Sequence, residues 1–155
     1  VIEAVSEGVV FSAFEHTADA DAFAVLRPRL ANAEKASAIF RAFKYSGRPY
    51  DFDFDFQTDA ALVCTELVYK SYEPQAPVKG IKFPLVEVLG RLAMPANLIV
   101  KQFDEEFGKP GQQTELIAFY DGHERKGNAV ESNLAEFRKS WQRPKWHIFV
   151  QETAR

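Results

Sequence analysis

The sequence predicts an α+β fold, and three observations carry that expectation. Short β-branched or apolar runs bounded by turn residues recur along the chain, at 1–5, 9–11, 23–27, 114–120 and 146–150. Segments with the apolar spacing of helices lie among them, at 32–45, 64–72, 96–107 and 129–141. The two kinds do not follow the regular strand–helix alternation of a parallel sheet. With 155 residues, 46% apolar and 26% charged, the chain suffices for one substantial core and reads as a single domain over 1–155. A first half to 79 is followed by a half of different character from 80. Fourteen phenylalanines imply an aromatic-rich core or substrate groove. A net charge of −3 and a pI near 5.7 argue against a nucleic-acid partner, which calls for a basic patch. No apolar run approaches the roughly 20 residues of a membrane-spanning helix.

The elements follow in order. Val1–Val5 is a buried strand, Ser6-Glu7-Gly8 a turn, and Val9-Val10-Phe11 a second strand. The polar cluster 12–22, with Glu15, His16 and Asp19, makes a loop or one helical turn. Phe23–Arg27 is a strand ended by Pro28. Asn32–Tyr45 is a helix with Asn32 as N-cap; Lys35 then falls at the third position, so no capping box is expected. Its apolar stripe is Ala36, Ile39, Phe40 and Phe43, and Gly47 and Pro49 stop it. Asp51–Phe56 alternates with period two, as a half-buried extended segment does, phenylalanines on one side and aspartates on the other. A helix from Cys64 to Tyr72 turns Leu67, Val68 and Ser71 inward and ends before Pro74 and Pro77. Beyond Gly80, a short helix is expected over 85–92. A longer one covers 96–107 with Pro95 as its first residue, and Gly108–Gly111 breaks the chain. A strand over 114–120, a turn at 121–123, an amphipathic helix over 129–141 and a strand over 146–150 complete the order.

Cys64 is the only cysteine, which excludes an intrachain disulfide and a Cys-rich zinc site. It stands at the start of an apolar helix, where unpaired N–H groups and the positive end of the macrodipole stabilise a thiolate. Backbone N–H groups there can also serve an oxyanion. Glu66 in the same turn suits the dipole and needs no catalytic role. Asp51, Asp53 and Asp55 at alternate positions invite calcium. However, the Gly and Glu that a calcium loop requires at its sixth and twelfth positions are here Phe56 and Leu62, so no metal and no other cofactor is expected.

Gly47-x-Pro49-Tyr50-Asp51, followed after about a dozen residues by Cys64-Thr65-Glu66-Leu67-Val68, resembles the circularly permuted papain-like amidases. These form the YiiX-like branch of the NlpC-type cysteine peptidase superfamily. The opening Val1-Ile2-Glu3-Ala4-Val5 is similar to that family's strand for the acidic triad member. The resemblance implies an antiparallel papain-like sheet with the nucleophile helix packed on it. Cys64 is then the nucleophile, and Glu3 the carboxylate that orients the base. It implies amide hydrolysis through a thioester, on a cell-wall peptide or similar small amide. Acyl transfer or lipid amide cleavage is the alternative that relatives of the fold suggest, and a lipid-like substrate would suit the aromatic surplus. A non-catalytic binding domain on the same fold is a third reading.

The histidine motivates that third reading. In the permuted family the base precedes the acidic strand, and no histidine of this chain does. The chain opens in mid-strand without an initiator methionine, so an upstream segment bearing the histidine is expected. If that segment includes a signal, the location is the cell envelope. Within the chain, His147 on a strand and His123 in a turn follow Cys64, in the order of unpermuted papain-like enzymes, and are the alternative bases. His16 is a weaker candidate.

Overall fold

The computed structural model describes residues 1–54, 56, 58–88, 90–122 and 129–143. The elements run β1 (Ile2–Val5), β2 (Gly8–Phe11), α1 (Phe14–Ala18), β3 (Ala22–Pro28), α2 (Asn32–Lys44) and α3 (Cys64–Tyr72). They continue with β4 (Val86–Val88), β5 (Arg91–Ala93), α4 (Ala96–Glu106), β6 (Thr114–Asp121), β7 (Val130–Glu131) and α5 (Leu134–Ser140). The class is α+β. Among the described residues the strands form three small antiparallel sheets, β1–β2, β3–β6–β7 and β4–β5, rather than one.

A two-stranded ribbon such as β1–β2 is marginal in water unless a helix covers its apolar face. Here α3 does. Ala4 and Val9 of the ribbon, Leu62 and Leu67 form one buried cluster, with Ile2, Tyr45 and Tyr50 packed against it. The loop after α2 is stitched to β2: Val9 N–H donates to the Arg48 carbonyl and Gly47 N–H to the Val9 carbonyl, both at 2.8 Å. Gly8 makes this approach possible. Its φ is 109°, and a Cβ there would lie 2.5 Å from the Arg48 oxygen.

The two halves of the chain share a sheet, because β3 pairs with β6 from Ala22↔Asp121 to Pro28↔Thr114. Beneath it lies a second core of Phe103, Phe119 and Phe137, with Leu26, Val100 and Leu116 against it. Phe137 meets Phe103 and Phe119 edge to face at 5.2 and 5.3 Å, the arrangement the ring quadrupole favours.

Several expectations are corrected. The segment expected as a helix over 85–92 is the β4–β5 hairpin; Gly90, at φ 79°, turns the chain, and Val86 and Val88 alternate along a strand. The helix expected over 129–141 is split into β7 and α5. Asn133 caps α5 by accepting the Glu136 N–H at 3.0 Å, so the helix starts only after it. The N-cap of α2 is Ala31, not Asn32. The third position is therefore Glu34, whose carboxylate accepts the Ala31 N–H at 3.0 Å and supplies half of a capping box. The strand expected over 146–150 lies outside the described residues.

Candidate active site

Helix α3 starts at Cys64 because the residues before it are held extended. Tyr50 and Leu62 form a parallel bridge, with Leu62 N–H donating to Pro49 O at 3.1 Å and Asp51 N–H to Leu62 O at 3.3 Å. Val63 is the N-cap in extended conformation, and no side chain caps the first turn. Cys64 is exposed on that first turn, beside N–H groups that have no helical partner. Ser71, two turns on, is not a competing nucleophile, since its hydroxyl donates to Leu67 O at 2.6 Å.

A cleft of about 600 Å³ opens beside the thiol, between β1 and the helices α2 and α3. Cys64 and Glu3 both line it. Glu3 stands on β1 opposite Val10, and its carboxylate accepts the Thr17 hydroxyl of α1 at 3.3 Å. The remaining walls are mainly apolar: Ile2, Phe11, Ile39, Phe43, Leu67 and Val68. The stripe expected to bury α2 is thus turned outward. Ile39, Phe40 and Phe43 are each more than half exposed, and the buried residue of the helix is Ala38. Phe43 stacks on Phe11 at 5.2 Å, and Lys44 lies over the Phe40 ring. Val68, expected inward, is likewise partly exposed on the cleft.

Tyr50 was missed as a site residue. Its phenol lies beside Cys64, and burial, with the nearby Cys64 and Asp51 charges, raises it above the usual phenol range, so it keeps its proton. Phe52 and Phe54 meet its ring edge-on at 5.0 and 6.5 Å. The sequence did carry a signal, since Tyr50 stands in the Pro-Tyr-Asp stretch of the family resemblance, but residue by residue that stretch reads as a helix stop and turn and gives Tyr50 no role of its own.

The Asp51–Phe56 stretch is not extended. Asp51 is buried and its Oδ1 accepts the Asp53 N–H at 2.8 Å, closing a turn, after which Phe54 has φ 55°. Phe52 and Phe54 are exposed, the reverse of the alternation expected. Asp55 lies outside the described residues; among those described, no cluster of His, Cys, Asp and Glu is arranged to hold a metal. Nor is any described helix long and apolar enough to cross a membrane.

Of the histidines, His16 is exposed on α1, and His123 and His147 lie outside the described residues. Glu66 is the residue whose setting departs furthest from expectation. It is fully buried, and burial pushes its carboxyl up to about 7; the Val63 N–H and Lys70 favour the charged form, Asp51 and Asp59 the neutral one.

An uncapped helix starts at an exposed thiol and packs on a strand whose carboxylate lines the same cleft, as the sequence resemblance leads one to expect. Residues 1–131 match the family described as permuted papain-like amidase enzyme, YaeF/YiiX, C92 family, and the chain belongs to it. No curated protein and no solved structure matches the chain.

Proposed function

We propose that this protein hydrolyses an amide through a thioester on Cys64, with an apolar acyl group of the substrate lying in the adjacent cleft. The observation that carries the reading is the shared cleft, lined at once by the Cys64 thiol, the Glu3 carboxylate and a mainly apolar wall. Cys64 Sγ attacks the carbonyl carbon, the C–N bond breaks, and the amine leaves with a proton from the base. Water then cleaves the thioester and releases the acid. Tyr50, which keeps its proton, and the N–H groups at the start of α3 are donors for the oxyanion. The base is an imidazole oriented by Glu3. His147 and His123 are the candidates within this chain; an imidazole on a strand ahead of Glu3 is the alternative that the sequence resemblance suggests.

The apolar wall favours a substrate with an acyl chain over a polar cell-wall peptide. Lipid amide cleavage, or transfer of the acyl group to an acceptor other than water, is the second reading on the same ground. Both use the same acyl-enzyme.

The test is to incubate the protein with N-acyl anilides of increasing chain length, quench in acid and weigh the protein. An acyl adduct on Cys64 that grows with chain length supports the reading. Amide cleavage that survives Cys64→Ala overturns it. Iodoacetamide that alkylates Cys64 only near or above roughly pH 8.5, with no adduct formed, favours a binding domain instead.

A further inference from the structure

Glu66 is the second residue after Cys64, in the first turn of α3, and none of its surface is exposed. Among the described residues neither of its carboxyl oxygens has a hydrogen-bond partner of normal geometry, although the Val63 N–H is near enough to favour the charged form. Such a group costs free energy in either protonation state, and far more when charged. The charged groups that face it are Lys70, one turn along α3, and Asp51 and Asp59 from the segment before the helix. Lys70 is already engaged with Asp59 at 2.8 Å. Among the described residues Glu66 therefore has no ion pair of its own, and beyond the pull of Lys70 its charge acts on the helix end beside it.

That helix end also holds Cys64. The two residues are about 3 Å apart along the axis, at a rise of about 1.5 Å per residue. We propose that Glu66 is a positioning residue for the Cys64 thiolate: neutral, it leaves the positive pole of α3 to the sulfur, and ionised, it competes for that pole and holds the thiol protonated. Burial keeps the carboxyl neutral up to about 7, so its charge arrives at the helix end only as the pH rises past that value. The inference requires only that Cys64 ionise, not that it attack an amide.

The test is the rate of Cys64 alkylation by iodoacetamide against pH, in the wild type and in Glu66→Gln, which keeps the shape and removes the charge. The wild type should rise in a broad, two-step profile. Glu66→Gln should rise in one step, half-maximal roughly half a pH unit lower, the size expected when a charge worth about 0.3–1 kcal/mol is removed from a helix end. Equal midpoints and equal slopes overturn the proposal. A second measurement needs no variant. The coupling is reciprocal, so carbamidomethylation of Cys64 should shift and sharpen the loss of the protonated-carboxyl infrared band that survives above about pH 6. A band unmoved by alkylation overturns the proposal even where Glu66→Gln fails to fold. Either failure leaves the thioester reading standing, because neither experiment measures amide cleavage.

Discussion

Glu3 on β1 and Cys64 at the start of α3 face one cleft because their neighbours Ala4 and Leu67 are buried in one cluster. The separation of carboxylate and thiol is thus set by core packing. Leu67→Ala should cost about 2–4 kcal/mol in urea unfolding, and it should lower kcat even where the protein remains folded. Cys64→Ala should behave oppositely. The thiol is exposed, so stability should stay within about 0.5 kcal/mol while activity is lost. A melt and an assay on each variant check the pair.

Phe43 tests the apolar wall. It is more than half exposed and touches Phe11, so Phe43→Ala removes little core. We expect kcat/KM for a long-chain acyl amide to fall about tenfold and that for an acetyl amide to be unchanged. Equal losses on both substrates would place the acyl group elsewhere.

Phe137 and Gly8 test the two cores separately. Phe137→Ala opens the cluster beneath β6 and should cost about 3–5 kcal/mol in urea unfolding, with the reactivity of Cys64 unchanged in the protein that remains folded. Gly8→Ala strains a φ of 109° and drives a Cβ into the Arg48 carbonyl. It should displace the Arg48–Tyr50 segment, and with it the Tyr50 contact to Cys64, so that Cys64 reactivity changes as well as stability.

What was legible in the sequence was what local chemistry decides. The bounds of α3 follow from the apolar spacing after Cys64 and from Pro74, and the structure has the same bounds. The strand in 114–120 follows from its β-branched run. Tertiary choices were not legible. The Ile39–Phe40–Phe43 stripe has the spacing of a core face, and spacing cannot tell core from cleft. Leu85 to Leu92 fits a helical turn as well as a hairpin, and Gly90 at positive φ decides it. The period-two pattern of Asp51–Phe56 was overridden by a single Asp51 side chain that captures the Asp53 N–H. Glu66 could be placed in the first turn, but nothing in Cys-Thr-Glu-Leu says that its carboxyl is buried.

That burial has a consequence for stability as well as for reactivity. The folded-state value of about 7 lies above the ordinary 4.5, so between these two values the folded protein binds more protons at Glu66 than the unfolded chain. Stability therefore falls with rising pH across that window. Below it both states are protonated and Glu66 contributes nothing; above it both are ionised and the penalty is complete. A shift from 4.5 to about 7 corresponds to about 3 kcal/mol, the most this group can account for. Glu66→Gln carries no such penalty. Urea unfolding at pH 5 and pH 8 should therefore show the variant gaining stability relative to wild type as pH rises, with the crossover inside the window. A difference between the two proteins that stays constant from pH 5 to pH 8 would mean that Glu66 is already ionised at pH 5, solvated or paired in solution, and the burial argument would fail with it.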